Sequence, residues 1–294
     1  MTRRGWLLFA AMCLLWGIPY LLIKVAVEDL SPPVIVLART GIGALVLLPI
    51  AAARGYLRPL LPLWRWLLLF AVIEIAGPWL LLTDAEQHLS SSLAGLLIAA
   101  VPLVSAVATQ LTGADDPLDG GRLLGLAVGV VGVAVLLGLD LGGEVGAALE
   151  IGGVVLGYGT APLIVVRKLA GHPSLGVIAS SLAIAALLCA PFAVASWPAH
   201  APTADVLWSV AGLAIACTVA AFLVFFALLA EVGPNRATVI TFINPAVALL
   251  LGVIILGEPF TTGIAVGFPL VLLGCLLATR KSRAPAPLPA VAEA

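Results

Sequence analysis

The chain has 294 residues, of which 62% are hydrophobic and 10% are charged, against about 25% charged residues in an ordinary soluble domain. So much apolar surface cannot all be covered inside a water-exposed protein, which excludes a soluble enzyme and a nucleic-acid-binding protein. The net charge of −1 implies no polyanionic partner.

Ten charge-poor apolar runs follow one another along the chain, and each is about as long as the 20 residues that a membrane span needs. The predicted helices cover residues 6–27, 32–53, 64–83, 89–112, 121–139, 146–166, 173–196, 205–230, 236–256 and 261–279. The tail over 281–294 is rich in Pro and Ala and is predicted to be disordered. The sequence therefore predicts an all-α integral membrane protein with ten transmembrane helices.

The charges between the spans alternate in sign from loop to loop. Twelve Lys and Arg residues lie before helix 1, in every second loop and after helix 10. The intervening loops hold the acids Glu28, Asp29, Asp84, Glu86, Asp140, Glu144, Asp205 and Glu258. Because cytoplasmic loops carry the excess of cations, we expect a multi-pass protein of the cytoplasmic membrane with both termini in the cytoplasm.

The sequence repeats itself at an offset of 142–144 residues. The matching positions are Trp16-Gly17 with Tyr158-Gly159, Pro19 with Pro162, Lys24 with Arg167, Pro102 with Pro245, Asp116-Pro117 with Glu258-Pro259, Gly125 with Gly267 and Gly132 with Gly274. Each copy holds five spans, and an odd number inserts the second copy upside down, as in many secondary transporters. We therefore expect two inverted five-helix domains, over 1–140 and 141–280, and a cytoplasmic tail over 281–294.

Three stretches of the chain carry a family resemblance. Leu15-Trp16-Gly17 with Lys24, followed by Ser31-Pro32-Pro33 with Arg39, forms the first. The second runs from Ser92-Leu93-Ala94-Gly95 to Pro102, and the third from Asn244-Pro245-Ala246 to Glu258-Pro259. Over about 6–280 the chain resembles EamA-type transporters, the ten-helix branch of the drug/metabolite transporter superfamily. It departs from their pattern at Gly113-Ala114-Asp115-Asp116, at Tyr158 and at Glu74. The resemblance implies gradient-driven export of small metabolites or drugs.

Three ionisable residues are predicted inside spans: Lys24, Arg39 and Glu74. Such residues are costly in lipid and usually face the bundle interior with a partner. Arg39 and Glu74 are predicted at similar depth, so Glu74 forms a structural ion pair with Arg39, serves as a coupling or substrate-binding carboxyl, or has neither role. A buried carboxyl has a raised pKa unless it is paired. Lys24 either reaches to the membrane surface, joins a structural network or lines the outer entrance.

Aromatic and neutral polar residues supply further candidates for a substrate cavity. Trp16, Tyr20, Trp79 and Tyr158 are predicted at moderate depth, where they pack the core or offer faces for stacking and cation–π contact with an amino acid or an organic cation. Thr241 and Asn244 are predicted in the middle of helix 9, and Asn244 is the stronger cavity candidate because it precedes a proline.

Prolines and glycines inside the spans indicate where the helices bend and pack. Proline leaves the carbonyl four residues earlier without its hydrogen bond, which makes Pro78, Pro102, Pro162 and Pro245 hinge candidates, or plain kinks in a packed bundle. Glycines at four-residue spacing allow helices to approach closely. Packing within the monomer is the favoured interpretation, and a homodimer interface is the alternative, for Gly121, Gly125, Gly129, Gly263 and Gly267.

No catalytic motif lies at membrane depth, and no residue spacing predicts a metal site, a cofactor or a disulfide framework. We therefore expect no enzyme, but a secondary transporter that exports small metabolites such as amino acids by alternating access. The alternatives are an exporter of multiple drugs or cationic compounds and, in a different class, a structural or sensory membrane protein that transports nothing. The expected partners are a small-molecule substrate, protons as a coupling ion and the lipid bilayer, without nucleic acid.

Overall fold

The computed structural model describes residues 1–112, 119–140, 144–237 and 239–280, and this part of the chain is helical without strands. Its ten apolar helices are α1 (Arg3–Ala26), α2 (Pro32–Ala53), α3 (Arg58–His88), α4 (Ser91–Leu111), α5 (Gly120–Gly138), α6 (Val145–Leu169), α7 (Ser174–Ala195), α8 (Ala204–Val232), α9 (Ile240–Ile255) and α10 (Thr262–Ala278). The first eight are long and apolar enough to cross a membrane, whereas α9 and α10 are shorter. The predicted ten-helix fold is confirmed.

Helix α3 differs most from its predicted bounds. It begins with a 3-10 segment, Arg58–Leu63, and continues to His88. The loop that was expected to hold Asp84 and Glu86 is therefore the last turn of a helix, and their predicted loop position is wrong. Nothing between Pro78 and His88 breaks a helix, because this stretch contains neither Gly nor Pro.

Several helices are interrupted close to prolines, although not at every predicted hinge. Helix α1 breaks at Ile18, directly before Pro19, and α4 breaks after Ile98, shortly before Pro102. Pro162 and Pro245 lie inside continuous helical segments, Val145–Ile164 and Ile240–Ile255. A break beside Pro102 agrees with its predicted role, while hinge motion at all four prolines stays a prediction.

Two π-helical segments occupy equivalent places in the two halves of the chain. They cover Ala71–Ala76 in α3 and Ile215–Ala220 in α8, which are 144 residues apart. Pro78 follows the first segment, but Phe222 takes its place after the second, so the widened turn forms without a proline. A π-segment inserts an extra residue into a helical turn and is frequent at functional sites. Here it places Glu74 and Thr218 at corresponding positions.

The helices pair in the same way in both halves. Helix α2 packs on α7, α5 on α10 and α4 on α9, while α1 contacts α9 as α6 contacts α4. The two large buried clusters run across these pairs, one around Tyr20, Leu96 and Val154 and the other around Leu47, Trp79 and Leu182. Helices from both halves therefore build each part of the core.

The α5–α10 pair is the closest helix contact and is made by glycines. A Cβ added to Gly125 would lie 2.8 Å from the carbonyl oxygen of Gly274, and one added to Gly132 would lie 2.9 Å from the carbonyl oxygen of Gly267. The two helices are antiparallel, since the earlier glycine of α5 meets the later glycine of α10. These contacts lie within one chain, as the favoured interpretation of the glycine spacing expects. We call the four glycines the α5–α10 seam.

Some predictions concern residues outside the described ranges. They include the departure from the family pattern at residues 113–116 and the predicted tail over 281–294. Asp116-Pro117, the first-half member of the match with Glu258-Pro259, also lies outside the described ranges.

Candidate functional site

Arg39 of α2 lies at the centre of the bundle with 7% of its surface exposed. Its Nε donates a hydrogen bond to the Thr218 hydroxyl at 2.8 Å. That hydroxyl donates in turn to the carbonyl oxygen of Leu213 at 2.9 Å, five residues earlier in α8. The π-segment makes this carbonyl reachable, because its widened turn brings position i−5 beneath the side chain. Thr218 thus holds one edge of the guanidinium.

The aromatic residues complete the surroundings of Arg39. Its guanidinium carbon lies 3.6 Å from the centre of the Trp79 ring, a cation–π contact. The Tyr158 side chain lies close to the Trp79 indole, and Tyr20 and Tyr158 both lie within electrostatic range of Arg39. We call Tyr20, Arg39, Trp79, Tyr158 and Thr218 the central cluster. Four of these five were predicted as site residues from the sequence.

Glu74 lies beside this cluster, and the contacts of Arg39 with described residues do not include an ion pair with it. The guanidinium faces Trp79 and Thr218 instead, so the ion pair, one of three interpretations of Glu74, finds no support here. The Oε2 atom of Glu74 is buried and has no hydrogen-bond partner among the described residues, and Glu74 lies within electrostatic range of Tyr158. A buried carboxyl without a partner is costly, and it remains available for a ligand or a proton.

The guanidinium also keeps unused binding capacity. Only Nε of Arg39 is hydrogen-bonded to a described residue, so both terminal nitrogens remain available. Two parallel N–H groups on one guanidinium match the geometry of a carboxylate. The centre of the bundle therefore presents a cationic donor, an unpaired carboxyl and aromatic faces within one group of side chains.

Comparison with known proteins agrees with this architecture. A model of the EamA-like transporter family matches residues 3–138 and 147–280. The chain belongs to the EamA-like transporter family. It is 27% identical over 286 residues to the "Uncharacterized transporter YvbV" of Bacillus subtilis strain 168, which covers 95% of this chain and 92% of that protein. It is also 27% identical over 256 residues to the "Uncharacterized inner membrane transporter YedA" of Escherichia coli K12, covering 84% and 81%.

A solved crystal structure shares the fold. Its TM-score is 0.66 at 21% identity, and the match covers 95% of this chain and 97% of that chain. The two family matches correspond to the two halves of the sequence, with five helices in each. The protein is therefore a multi-pass membrane transporter of the EamA-like family, and it acts on a small-molecule substrate within a lipid environment.

The other predicted site residues of this EamA-like chain lie outside the central cluster. Trp16 packs on Phe225 and Phe222 of α8, with ring centres 4.8 and 6.0 Å apart, in agreement with a core role. Asn244 keeps a buried Oδ1 without a hydrogen-bond partner. Its backbone carbonyl would lie 3.3 Å from a Cβ on Gly17, so α9 crosses α1 closely at the α1 break. Thr241 lies one turn before Asn244 on α9.

The Lys24 ammonium is bound by backbone carbonyl oxygens. Its ammonium donates to the backbone carbonyl oxygens of Glu86 at 2.6 Å and Leu89 at 2.8 Å, at the carboxyl end of α3. A cation at this position satisfies carbonyls that the helix leaves without partners. Arg167, its counterpart in the second half, likewise donates to the carbonyl oxygen of Thr112 at the end of α4. These bonds favour the structural-network interpretation of Lys24.

Sequence reasoning missed three residues that the structure brings into prominence. Thr218 was detectable, because the repeat aligns it with Glu74 in the sequence. A threonine by itself, however, does not indicate a functional site in an apolar helix. Glu86 was assigned to a loop and is instead fully buried. The Glu258 carboxylate accepts hydrogen bonds from the backbone amides of Ser91 at 2.7 Å and Ser92 at 2.9 Å, a contact that requires the tertiary structure.

Proposed function

We propose that this protein is a secondary carrier that exports small zwitterionic metabolites, with amino acids as the leading class, by alternating access. The observation that carries the proposal is the arrangement of Arg39 and Glu74 around Tyr158. The terminal nitrogens of Arg39 would bind a substrate carboxylate, and Glu74 would bind the ammonium group. Trp79, Tyr158 and Tyr20 would contact the substrate side chain through their ring faces.

The two halves of such a carrier are proposed to be inverted repeats. Five helices in each half, the antiparallel α5–α10 seam and the symmetric helix pairing support this arrangement. In carriers of this design the halves move against each other around a central site, which is where the cluster lies. The distribution of cations supports cytoplasmic termini, and the resemblance to exporters supports the outward direction. We propose a monomer, because the seam glycines are occupied within one chain.

A second candidate function is the export of organic cations and drugs. It is favoured by one observation: the buried Oε2 of Glu74 has no partner among the described residues, and Glu74 lies within electrostatic range of the aromatic residue Tyr158. A cation needs only the carboxyl and the aromatic faces, and it gains nothing from Arg39. The effect of removing Arg39 therefore separates the two candidates.

Reconstituted vesicles provide the test. A panel of amino acids and of cationic dyes is loaded into proteoliposomes, and efflux is measured with and without a pH gradient. We expect amino-acid flux that Arg39→Ala lowers by about 10- to 100-fold, with Arg65→Ala as a control at an arginine far from the cluster. If cations move selectively and their flux persists in Arg39→Ala, the export of organic cations and drugs replaces amino-acid export as the function. If no solute moves, the protein is a structural or sensory membrane protein and the proposal fails.

A further inference from the structure

Glu86 is a fully buried acid that the proposed transport site does not use. It lies in the last turn of α3 with none of its surface exposed. Both carboxyl oxygens are buried and have no hydrogen-bond partner in the part of the chain that the structure describes. Its neighbour Lys24 does not neutralise it directly, because the ammonium is bonded to the backbone carbonyls of Glu86 and Leu89. An ionised carboxylate in such a place is strongly disfavoured unless another group binds it.

The charged and titratable groups that face Glu86 come from three elements. Helix α1 contributes Lys24 and Tyr20, and α2 contributes Arg39. The loop between α9 and α10 contributes Glu258. Glu86 thus has among its electrostatic neighbours two members of the central cluster, Tyr20 and Arg39, and a second carboxylate, Glu258, at the end of the bundle opposite the termini.

Glu258 joins that end of the bundle across the two halves. Its two carboxylate oxygens accept the amides of Ser91 and Ser92, the first two residues of α4. A carboxylate is favoured there because helix amino termini present unpaired amides and a partial positive charge. The contact is tight, since a Cβ on Gly252 of α9 would lie 2.9 Å from the Ser91 hydroxyl. We call this contact the Glu258 clasp; it holds the start of α4 to the end of α9.

We propose that Glu86 is a proton-binding residue that controls the Glu258 clasp. When the Glu86 carboxyl releases its proton to water, its charge attracts the neighbouring cations Lys24 and Arg39 and repels the Glu258 carboxylate in a poorly solvated interior. Glu258 then leaves the amides of α4, and this end of the bundle opens. Arg39 becomes a partner for the ionised Glu86, which links the same step to the central cluster. The link to substrate rests on the proposed function, whereas the control of the clasp does not.

Hydrogen exchange tests the clasp without any solute. The full-length protein is purified in detergent micelles, and exchange of the peptide that contains the Ser91 and Ser92 amides is followed from about pH 6 to about pH 9, corrected for intrinsic exchange. In the wild type we expect protection to fall about tenfold or more as the pH rises. In Glu86→Gln the amides should stay protected throughout. Glu150→Gln, which changes a half-buried carboxyl on α6 near Asp84, is the matched control and should behave as the wild type.

Two results overturn the proposal: protection in the wild type that does not change with pH, or a pH response that survives in Glu86→Gln. Should Glu86→Gln fail to fold, Glu258→Gln decides, because it keeps a hydrogen-bond acceptor but has no charge to be repelled. Its protection should not vary with pH, and a wild-type response would contradict the proposal. A protein that moves no solute but shows the exchange difference would refute the proposed function and leave the role of Glu86 intact.

Discussion

The two halves of this transporter place different chemistry at equivalent positions. Glu74 and Thr218 occupy the same place in two π-segments 144 residues apart. At the start of α5, the Asp119 carboxylate accepts the Arg122 amide at 2.8 Å, and 142 residues later the Thr261 hydroxyl accepts the Ile264 amide at 3.1 Å. In both pairs the first half carries an acid and the second half a threonine.

The two pairs share side-chain oxygens and differ in chemistry. Each of the four side chains has an oxygen that can accept a hydrogen bond, and Thr218, Asp119 and Thr261 do so. Only the acids can also carry a negative charge. In the interior the buried Oε2 of Glu74 has no partner among the described residues, while its counterpart Thr218 is bonded to Arg39. Equivalent positions therefore hold an unpaired carboxyl oxygen in one half and the support of an arginine in the other.

The largest expected effect concerns the α5–α10 seam, where equivalent positions of the two halves both hold glycine. Gly125→Leu and Gly267→Leu should each destabilise the protein by about 3 kcal/mol or more, because a side chain cannot fit against the opposing backbone. Thermal unfolding in detergent measures this, with Gly138→Leu as the control because a Cβ there meets nothing within 4 Å. Clearly unequal losses of stability at the two seam positions would show that the two halves do not contribute equally to the seam.

The next effect concerns Arg39, which the second half holds in place. Arg39→Ala should lower amino-acid flux in proteoliposomes by about 10- to 100-fold, since hydrogen bonds to a charged group contribute about 1.5–3 kcal/mol. Thr218→Val should lower it less, because the cation–π contact with Trp79 remains. Equal losses in the two variants would mean that Arg39 acts by holding α8 to α2 and does not contact the substrate.

The third prediction compares Glu74 directly with its counterpart. Glu74→Gln keeps the shape of the side chain but removes the charge and the proton, so flux should fall about tenfold and lose its dependence on pH. Thr218→Val should retain that dependence. The measurement is efflux from vesicles over a range of pH values. Full transport by Glu74→Gln with an unchanged pH profile would show that the acid has no part in binding or coupling.

The smallest effect concerns Asp119 and Thr261, whose side chains accept backbone amides at the starts of α5 and α10. Hydrogen bonds from the Arg122 amide and from Arg280 hold the pKa of Asp119 below its usual range. Its stabilising contribution is therefore present above the pKa of the unfolded chain and is lost as the pH falls through the lowered pKa of the folded state. Asp119→Asn should lower the melting temperature at neutral pH but not at strongly acidic pH. Thr261→Ala should cost about 1 kcal/mol at every pH, and a pH-dependent loss there would contradict the comparison.

Much of the architecture could be predicted from the sequence, because each apolar run is long and the loop charges alternate. The repeat offset indicated the correspondence of the halves, and the intramembrane position of Arg39, Trp79, Tyr20 and Tyr158 indicated a common site. The partner of Arg39 could not be predicted, since depth alone favoured Glu74 and the direction of the guanidinium depends on a π-segment in α8. Glu86 was missed because polar residues at a helix end have the same composition as a loop.

The α5–α10 seam has a consequence for the origin of the chain. The repeat offset turns Gly125 into Gly267 and Gly132 into Gly274, so it exchanges the Gly125–Gly274 contact with the Gly132–Gly267 contact. A surface that is complementary to its own copy serves equally well between two separate polypeptides. Two identical five-helix chains packed antiparallel would form this seam before any linker joined them. Duplication and fusion of one ancestral gene would then have left the two halves free to diverge, as at Glu74 and Thr218.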